Sequence, residues 1–268
     1  MATTPVALAT LSEKTVAVNP DTRYDTQVKV SFIIPAWNET KGITPTIEQF
    51  KALRRLEYEV IVSDNGSTDG TVELARQLGA KVAVRPTDVR TSIGECRNRG
   101  AKLASGELLW FLDADVRITD IEASVDDVIH AFDQTPNMVG APMRLVIYPE
   151  EATWADHFWF ICFNFTVLIQ NRVLKKGASP GDCMIIRRKD FERLQGFNPN
   201  LKTAEDFELF GRLAKVGEVG YFWRRTAAMS PRRIHRDGWL KVLSQWFKNW
   251  FNQLVLHKHQ DTDWEARR

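Results

Sequence analysis

The stretch Leu108-Leu109-Trp110-Phe111-Leu112-Asp113-Ala114-Asp115 decides how this chain is read. A continuous run of apolar residues bounded by polar ones is the pattern of a strand covered on both faces. Such a strand delivers two carboxylates, one residue apart, to its carboxyl end. Paired oxygen ligands suit a hard divalent cation, and such a cation holds phosphate oxygens in turn, so the ligand class is a nucleoside diphosphate. Taken alone, Asp-x-Asp is equally an acidic loop after a strand, and the flanking sequence has to decide.

Upstream, strand and helix patterns alternate from Val28 to about Ala104, the arrangement of an α/β sheet with largely parallel strands. Val28 to Ile34 reads as a buried strand stopped by Pro35, Thr46 to Arg55 as part of the next helix, and Tyr58 to Ser63 as a second strand. A helix over Thr68 to Leu78 ends at Gly79. A short strand, Lys81 to Val84, and a helix from Ser92 to Leu103 then lead to the strand Glu107 to Leu112. Ligands of such sheets gather at the carboxyl ends of the strands. There this chain has three polar loops: Pro35-Ala36-Trp37-Asn38-Glu39, Asp64-Asn65-Gly66-Ser67-Thr68-Asp69-Gly70 and Asp113-Ala114-Asp115. In the second, a glycine serves the turn and Ser/Thr residues are placed to cap the following helix.

Downstream the pattern is less regular. Asp126 to Phe132 reads as a helix, Met138 to Ile147 as a strand, and Thr153 to Gln170 as a long apolar helix or helix pair. Cys183 to Arg187 is a short strand, and Asp190 to Leu194 a helix ending at Gly196. Ala204 to Ala214 is a helix capped by Gly217, Val219 to Trp223 a strand, and Pro231 to Gly238 a hinge into a last helix.

A chain of 268 residues can bury a full core. We expect a flexible leader over 1–27, a catalytic domain over 28–230, and a basic, Trp-rich amphipathic helix and tail over 231–268. The net charge of +2 gives no reason to expect nucleic-acid binding. Its distribution is uneven: Pro231 to His259 carries six Lys or Arg against the single acid Asp237, which leaves the rest of the chain at −3. Cys96, Cys162 and Cys183 are odd in number and lack metal-ligand spacing, which suits a reducing compartment without disulfides or zinc. The most apolar segment, Phe158 to Ile169, is broken by Asn164 and Thr166 and falls short of the roughly 20 residues that span a bilayer, so no transmembrane helix is expected.

Five blocks in order, SFIIPAWNE (31–39), VIVSDNGSTDGT (60–71), ECRNRGAKLASGE (95–107), LLWFLDADV (108–116) and GDCMIIRRKDFERLQGFNPNLKTAEDFELFGRLAKVG (181–217), resemble the family 2 glycosyltransferases over roughly Lys29 to Tyr221. The resemblance implies an α/β GT-A fold, with a mixed, mostly parallel central sheet flanked by helices. It implies a nucleoside-diphosphate sugar as donor, its base and ribose held by Pro35, Ala36, Trp37, Asn38, Glu39 and Asp64, with Arg97 in a helix lining the pocket. Asp113 would reach the ribose or a metal-bound water, Ala114 lies between the two acids, and Asp115 would bind Mg2+ or Mn2+ directly. Ala204-Glu205-Asp206 matches the family's Thr/Glu-Glu-Asp motif, whose Asp deprotonates the acceptor hydroxyl. Asp206 is then the base, while Glu205 either binds the acceptor or shapes the helix, where acids in the first turn are favoured in any case. In GT-A enzymes the region after the core often supplies a further ligand. That makes His235 a candidate for the metal and Arg232 or Arg233 for the diphosphate, with plain basic surface as the alternative.

In the last helix Trp239, Leu243, Trp246, Trp250 and Leu254 recur at three- and four-residue steps, widened by Leu240, Phe247 and Phe251, with Lys241, Lys248, Asn249 and Asn252 elsewhere on the wheel. An apolar aromatic face among basic residues suits an anionic leaflet. Packing on the domain or on a second subunit, a homodimer, is the alternative. The expected protein is therefore an inverting, metal-dependent glycosyltransferase, cytoplasmic and peripheral on the inner face of the membrane through residues 236–256, with a hydroxyl acceptor that is lipid-linked or part of a glycan. A sugar-nucleotide pyrophosphorylase would carry a Gly-rich loop where Pro35 to Glu39 stands. A haloacid-dehalogenase-like phosphatase would place its acidic strand first, and a silent nucleotide-sugar-binding protein would not need Asp113, Asp115 and Asp206 together.

Overall fold

The computed structural model describes residues 30–54, 56–85 and 91–244. The expected leader, the strand start at Val28, and the Trp-rich stripe from Trp246 onward lie outside the described residues. Within them the strands are β1 Val30–Ala36, β2 Tyr58–Asp64, β3 Lys81–Val84, β4 Leu108–Leu112, β5 Val116–Ile118, β6 Met138–Ile147, β7 Cys183–Arg187, β8 Glu218–Val219 and β9 Phe222–Met229. They form one sheet in the order β3-β2-β1-β4-β7-β6-β9-β5, with β8 also on β6. The first four strands in that order are mutually parallel; β7 then runs antiparallel to both β4 and β6.

Helices cover both faces, and the side chains of each central strand divide between two cores by simple alternation. Phe32, Ile34, Leu108, Trp110 and Leu112 point to one core. Ile33, Leu109 and Phe111 point to the other. That is why these strands are apolar throughout rather than alternating. The first core takes α1 Ile43–Glu48, α2 Thr71–Gln77 and α4 Ile121–Gln134. The second is closed by α3 Ile93–Ala101, α6 Arg188–Arg193 and α7 Glu205–Leu213. Against Ile33, α3 sits so close that a Cβ on Gly100 would lie 2.6 Å from the isoleucine methyl.

Several elements differ from the sequence reading. Pro35 does not stop β1, which runs to Ala36. The ladder to β4 ends at Ile33, so Pro35 pairs only with β2 and its missing N–H interrupts no second partner. The helix expected from Thr68 starts at Thr71, because residues 65–70 are held as a loop and Gly70 takes a left-handed φ of 89°. The helix after β1 tightens into a 3-10 turn over Gln49–Ala52. Val219 to Trp223 is two strands, not one, and β5 was not foreseen. Gly238 at φ 80°, and not the whole Pro231 to Gly238 stretch, makes the break, since Arg232–Asp237 is itself a helix, α8.

The long apolar segment is one helix, α5 Trp154–Arg172, opened by a capping box between Thr153 and Asp156. The polar break at Asn164 is its anchor. The buried amide gives Nδ2 to Leu145 O at 2.8 Å and accepts Leu145 N at 3.0 Å and Tyr221 OH at 2.7 Å, pinning α5 to β6. The N-terminus of α5 is held by Asp156, which is almost completely buried. Its carboxylate takes Thr153 N at 2.8 Å, Trp239 Nε1 at 2.7 Å and the His235 ring at 2.9 Å. Burial alone would raise the Asp156 pKa; the hydrogen bonds from His235, Thr153 and Trp239 outweigh it and hold it at about 2. A carboxylate depressed on folding stabilises above its ordinary 3.8 and loses that contribution as pH falls through about 2. Asp156→Ala should therefore cost about 3 kcal/mol in denaturant unfolding at pH 7, from lost charged hydrogen bonds and stranded donors, and the gap to wild type should close between pH 4 and 2. A gap that is constant down to pH 2 would refute this assignment.

Candidate active site

The three polar loops do meet at one edge of the sheet, beyond the carboxyl ends of β1, β2 and β4, and two of them are stitched together. Asn38, at φ 55°, gives its N–H to Ser67 Oγ at 2.8 Å and accepts Thr68 N on Oδ1 at 2.8 Å, while Glu39 N donates to Thr71 Oγ1 at 2.9 Å. Asp64 builds its own loop instead of facing outward. It is 1% exposed, and its Oδ2 takes Gly66 N at 2.8 Å and Ser67 N at 3.0 Å, with Gly66 at a φ of 89° that a Cβ would strain. Pro35 and Ala36 are buried strand residues, and Trp37, Asn38 and Glu39 are half-buried at the edge. Ala114 is buried, and its carbonyl accepts Thr46 Oγ1 at 2.7 Å, which fixes the loop between the two acids.

Arg97 joins the acids of two elements. Buried to 1% exposure, its guanidinium gives Nη1 to Glu205 at 2.6 Å and Nη2 to Asp113 at 2.9 Å and Gly181 O at 2.8 Å. Burial alone would lower its pKa; the carboxylates of Asp113, Glu205 and Asp206 outweigh that and keep it charged. One arginine thus joins the end of β4 to the start of α7. Glu205, buried in the first turn of α7, is tied to Arg97. The backbone at Gly181 comes in so close that a Cβ there would lie 3.1 Å from Asp206 Oδ2 and 3.2 Å from Arg97 Nη2.

Asp206 is 8% exposed, and its Oδ1 accepts its neighbour Phe207 N at 2.9 Å. Burial, then the charge of Glu205, push its carboxyl well above the usual range against the opposing Arg97. Burial and Asp115 likewise raise Asp113, although Arg97 opposes them. Asp182, which the sequence reading passed over, belongs to the same cluster. Its carbonyl accepts Asp113 N at 3.0 Å, and burial followed by the charges of Asp113 and Asp115 pushes its carboxyl to about 7. The only sequence signal was a Gly-Asp pair before a short strand. Its antiparallel placement next to β4 gives it meaning.

Asp115 faces the other way. Its Oδ2 lies 3.1 Å from Arg232 Nη2, and Glu39 Oε2 lies 3.7 Å from the same nitrogen. Tyr148 OH donates to the Asp115 carbonyl at 2.5 Å. Burial, with Asp115 and Asp113 adding and Arg232 opposing, raises Glu39 to about 7. Among the described residues no three His, Cys, Asp or Glu side chains form a metal cage. The donor set still fits a cation of the Mg2+ or Mn2+ kind, which takes one or two carboxylates and completes its shell with phosphate and water oxygens. Asp115 and Glu39 already converge on one positive group, Arg232. His235, expected as a further metal ligand, is instead bound to Asp156, one helical turn beyond Arg232.

A parallel α/β half continued by a mixed half that β7 joins antiparallel, with an Asp-x-Asp loop and an acidic helix start at the same edge, defines a GT-A protein. Residues 31–195, more than half of the chain, match the family described as Glycosyl transferase family 2, and the chain belongs to that family. Over 91 residues it is 37% identical to glycosyltransferase AglE of Haloferax volcanii, covering 32% of this chain and 30% of AglE. It is 34% identical over 93 residues to a dolichol-phosphate mannosyltransferase of Pyrococcus furiosus, covering 34% of this chain and 26% of that protein. Both matches span well under half of those relatives' own lengths. Among solved structures, the mannosyltransferase PcManGT from Pyrobaculum calidifontis, in complex with GDP-Man and Mn2+, superposes with a TM-score of 0.62 at 18% identity, over 83% of this chain and 65% of that one.

Proposed function

We propose that this chain is an inverting, metal-dependent glycosyltransferase that moves a sugar from a nucleoside diphosphate to an acceptor hydroxyl by single displacement. The observation that carries the reading is the division of labour around Arg97. On one side Asp115 and Glu39 point together at a cation position, and on the other a buried Asp206 has its carboxyl pushed upward. In the step itself the acceptor oxygen bonds to the sugar's anomeric carbon, the bond from that carbon to the diphosphate breaks, and the acceptor proton passes to Asp206. A carboxylate whose burial raises its pKa is a stronger base when ionised, which suits a group that must take a proton from a hydroxyl. Asp115, with Glu39 beside it, would hold the divalent cation, which supplies neutralisation of charge on the leaving diphosphate. Arg232 is placed to pair with the same phosphates once a cation takes its present partner.

For the acceptor, a relative named for dolichol phosphate supports a lipid-linked molecule. No helix among the described residues is long and apolar enough to cross a membrane.

The test is a screen of UDP-, GDP- and dTDP-sugars for Mn2+-dependent thermal stabilisation, since bound ligand raises apparent stability by mass action. It is followed by Asp206→Asn on the donor that binds. The variant should keep donor affinity within a few-fold and lose about 10² or more in transfer rate. An unchanged rate, or a loss of donor affinity alone, would move the base elsewhere.

A further inference from the structure

We propose that the outward face of α5 is a second, independent contact surface, and that it lies on an anionic lipid bilayer. The inner side of this helix is packed in the ordinary way, with Phe160 and Val167 buried. Its outer side is also apolar. Trp154 is 79% exposed, Phe158 49%, Ile161 63% and Phe165 53%, at steps of four, three and four that keep them on one stripe. Past the helix end the stripe continues into Val173 at 70% and Leu174 at 52%. A helix apolar on every side is one that something covers on every side.

Charge selects the occupant. From His157 to Lys176 there is no Asp or Glu, while Arg172, Lys175 and Lys176 are exposed where the stripe ends. Large apolar side chains headed by a Trp and bordered by cations, on a helix that is not long and apolar enough to cross a membrane, fit the headgroup boundary of an anionic leaflet. The exposed acids nearest the stripe, Glu150 and Glu151, stand just before Trp154, at the opposite end from the three cations, so the far half of the stripe and the segment that follows it carry only positive charge.

The surface also has a place in the architecture. Trp239 stacks beside Trp159 of α5 at 6.2 Å and gives Nε1 to Asp156. Leu240, next in sequence, is 84% exposed. The short helix α8 that puts Arg232 on Asp115 is the same one that puts His235 on the first turn of α5. A bilayer against α5 would therefore sit one short helix from the donor-side carboxylates. The inference needs no sugar chemistry to hold, and it is distinct from any contact made by residues 245 onward.

Cysteine chemistry provides a local reporter. Of the three cysteines, Cys162 is exposed on this face and Cys96 and Cys183 are buried, so a solvatochromic maleimide labels the native full chain at Cys162. Its emission should shift to the blue on adding vesicles containing phosphatidylglycerol, and not on adding pure phosphatidylcholine vesicles. Ile161→Glu with Phe165→Glu should cut vesicle partitioning by about 100-fold, from roughly tenfold per large apolar side chain withdrawn. Both sites are exposed, and Mn2+-dependent stabilisation by a nucleotide sugar should be unchanged. Arg172→Ser with Lys175→Ser and Lys176→Ser should remove the preference for anionic lipid. Vesicle binding with an unmoved dye would place the contact elsewhere on the chain. A dye already blue without vesicles would mean that the chain itself or a second copy covers α5. Absence of vesicle binding by the wild-type chain at low salt would exclude the membrane altogether. Each of these outcomes overturns the proposal.

Discussion

Asp115→Ala is expected to abolish Mn2+-dependent sugar transfer and most nucleotide-sugar binding while leaving the fold intact. Activity should vanish because this carboxylate is the outward-facing acid of the pair, directed at the cation position rather than at Arg97. A divalent ion held by one or two carboxylates and otherwise by diphosphate oxygens has little left when the principal one is removed. Stability should hardly change. The side chains of Asp115 and Arg232 are 27% and 48% exposed, and pairs of that kind contribute at most about 1 kcal/mol. The measurements are turnover with and without chelator, and a denaturant midpoint. Wild-type rates for the variant in Mn2+ would remove the metal assignment, and unfolding would show that Asp115 is structural.

Arg97→Met should do the reverse in kind, losing activity because the site collapses. The substitution is close in length and apolar, yet it strands Glu205 and Asp113, one fully buried and one partly, next to an already raised Asp206. Breaking a buried pair from one side leaves uncompensated charge, at a cost of about 3–5 kcal/mol. Arg97→Lys should rescue little, since a single ammonium cannot span two carboxylates and the Gly181 carbonyl as the planar fork does. Adding Glu205→Gln to Arg97→Met should restore part of the loss, because it removes the stranded charge, and that coupling is the readout a remote packing defect would not give. Stability within about 1 kcal/mol of wild type would mean that the network contributes little.

Much of the fold was legible because its elements obey local rules. β3, β6 and β7 were read with their observed bounds from apolar runs between turn residues, and Asp113, Asp115, Glu205 and Asp206 stood out because acids after a buried strand or before a helix have few purely local uses. The sequence says least where a residue's partner is distant. Asp64 accepts from the backbone of its own loop, and Ser67 accepts from Asn38 N instead of capping α2. His235 suited a metal on residue type, and in the structure its ring bonds Asp156, the third residue of a helix 79 positions away. Asp182 carried only the weak signal of a Gly-Asp pair before a short strand.

The sequence alone determined that a doubly covered sheet forms and that acids collect at its carboxyl edge, since alternation, strand length and glycine placement act over a few residues. What each acid does was decided by tertiary structure. Asp113 and Asp115 are one residue apart and chemically identical. The first is turned to a buried arginine of α3 and the second to an exposed arginine of α8, two elements that come from opposite halves of the chain. A carboxylate's charge state and partner depend on burial and on groups brought from far along the chain, and neither quantity is written in its neighbours.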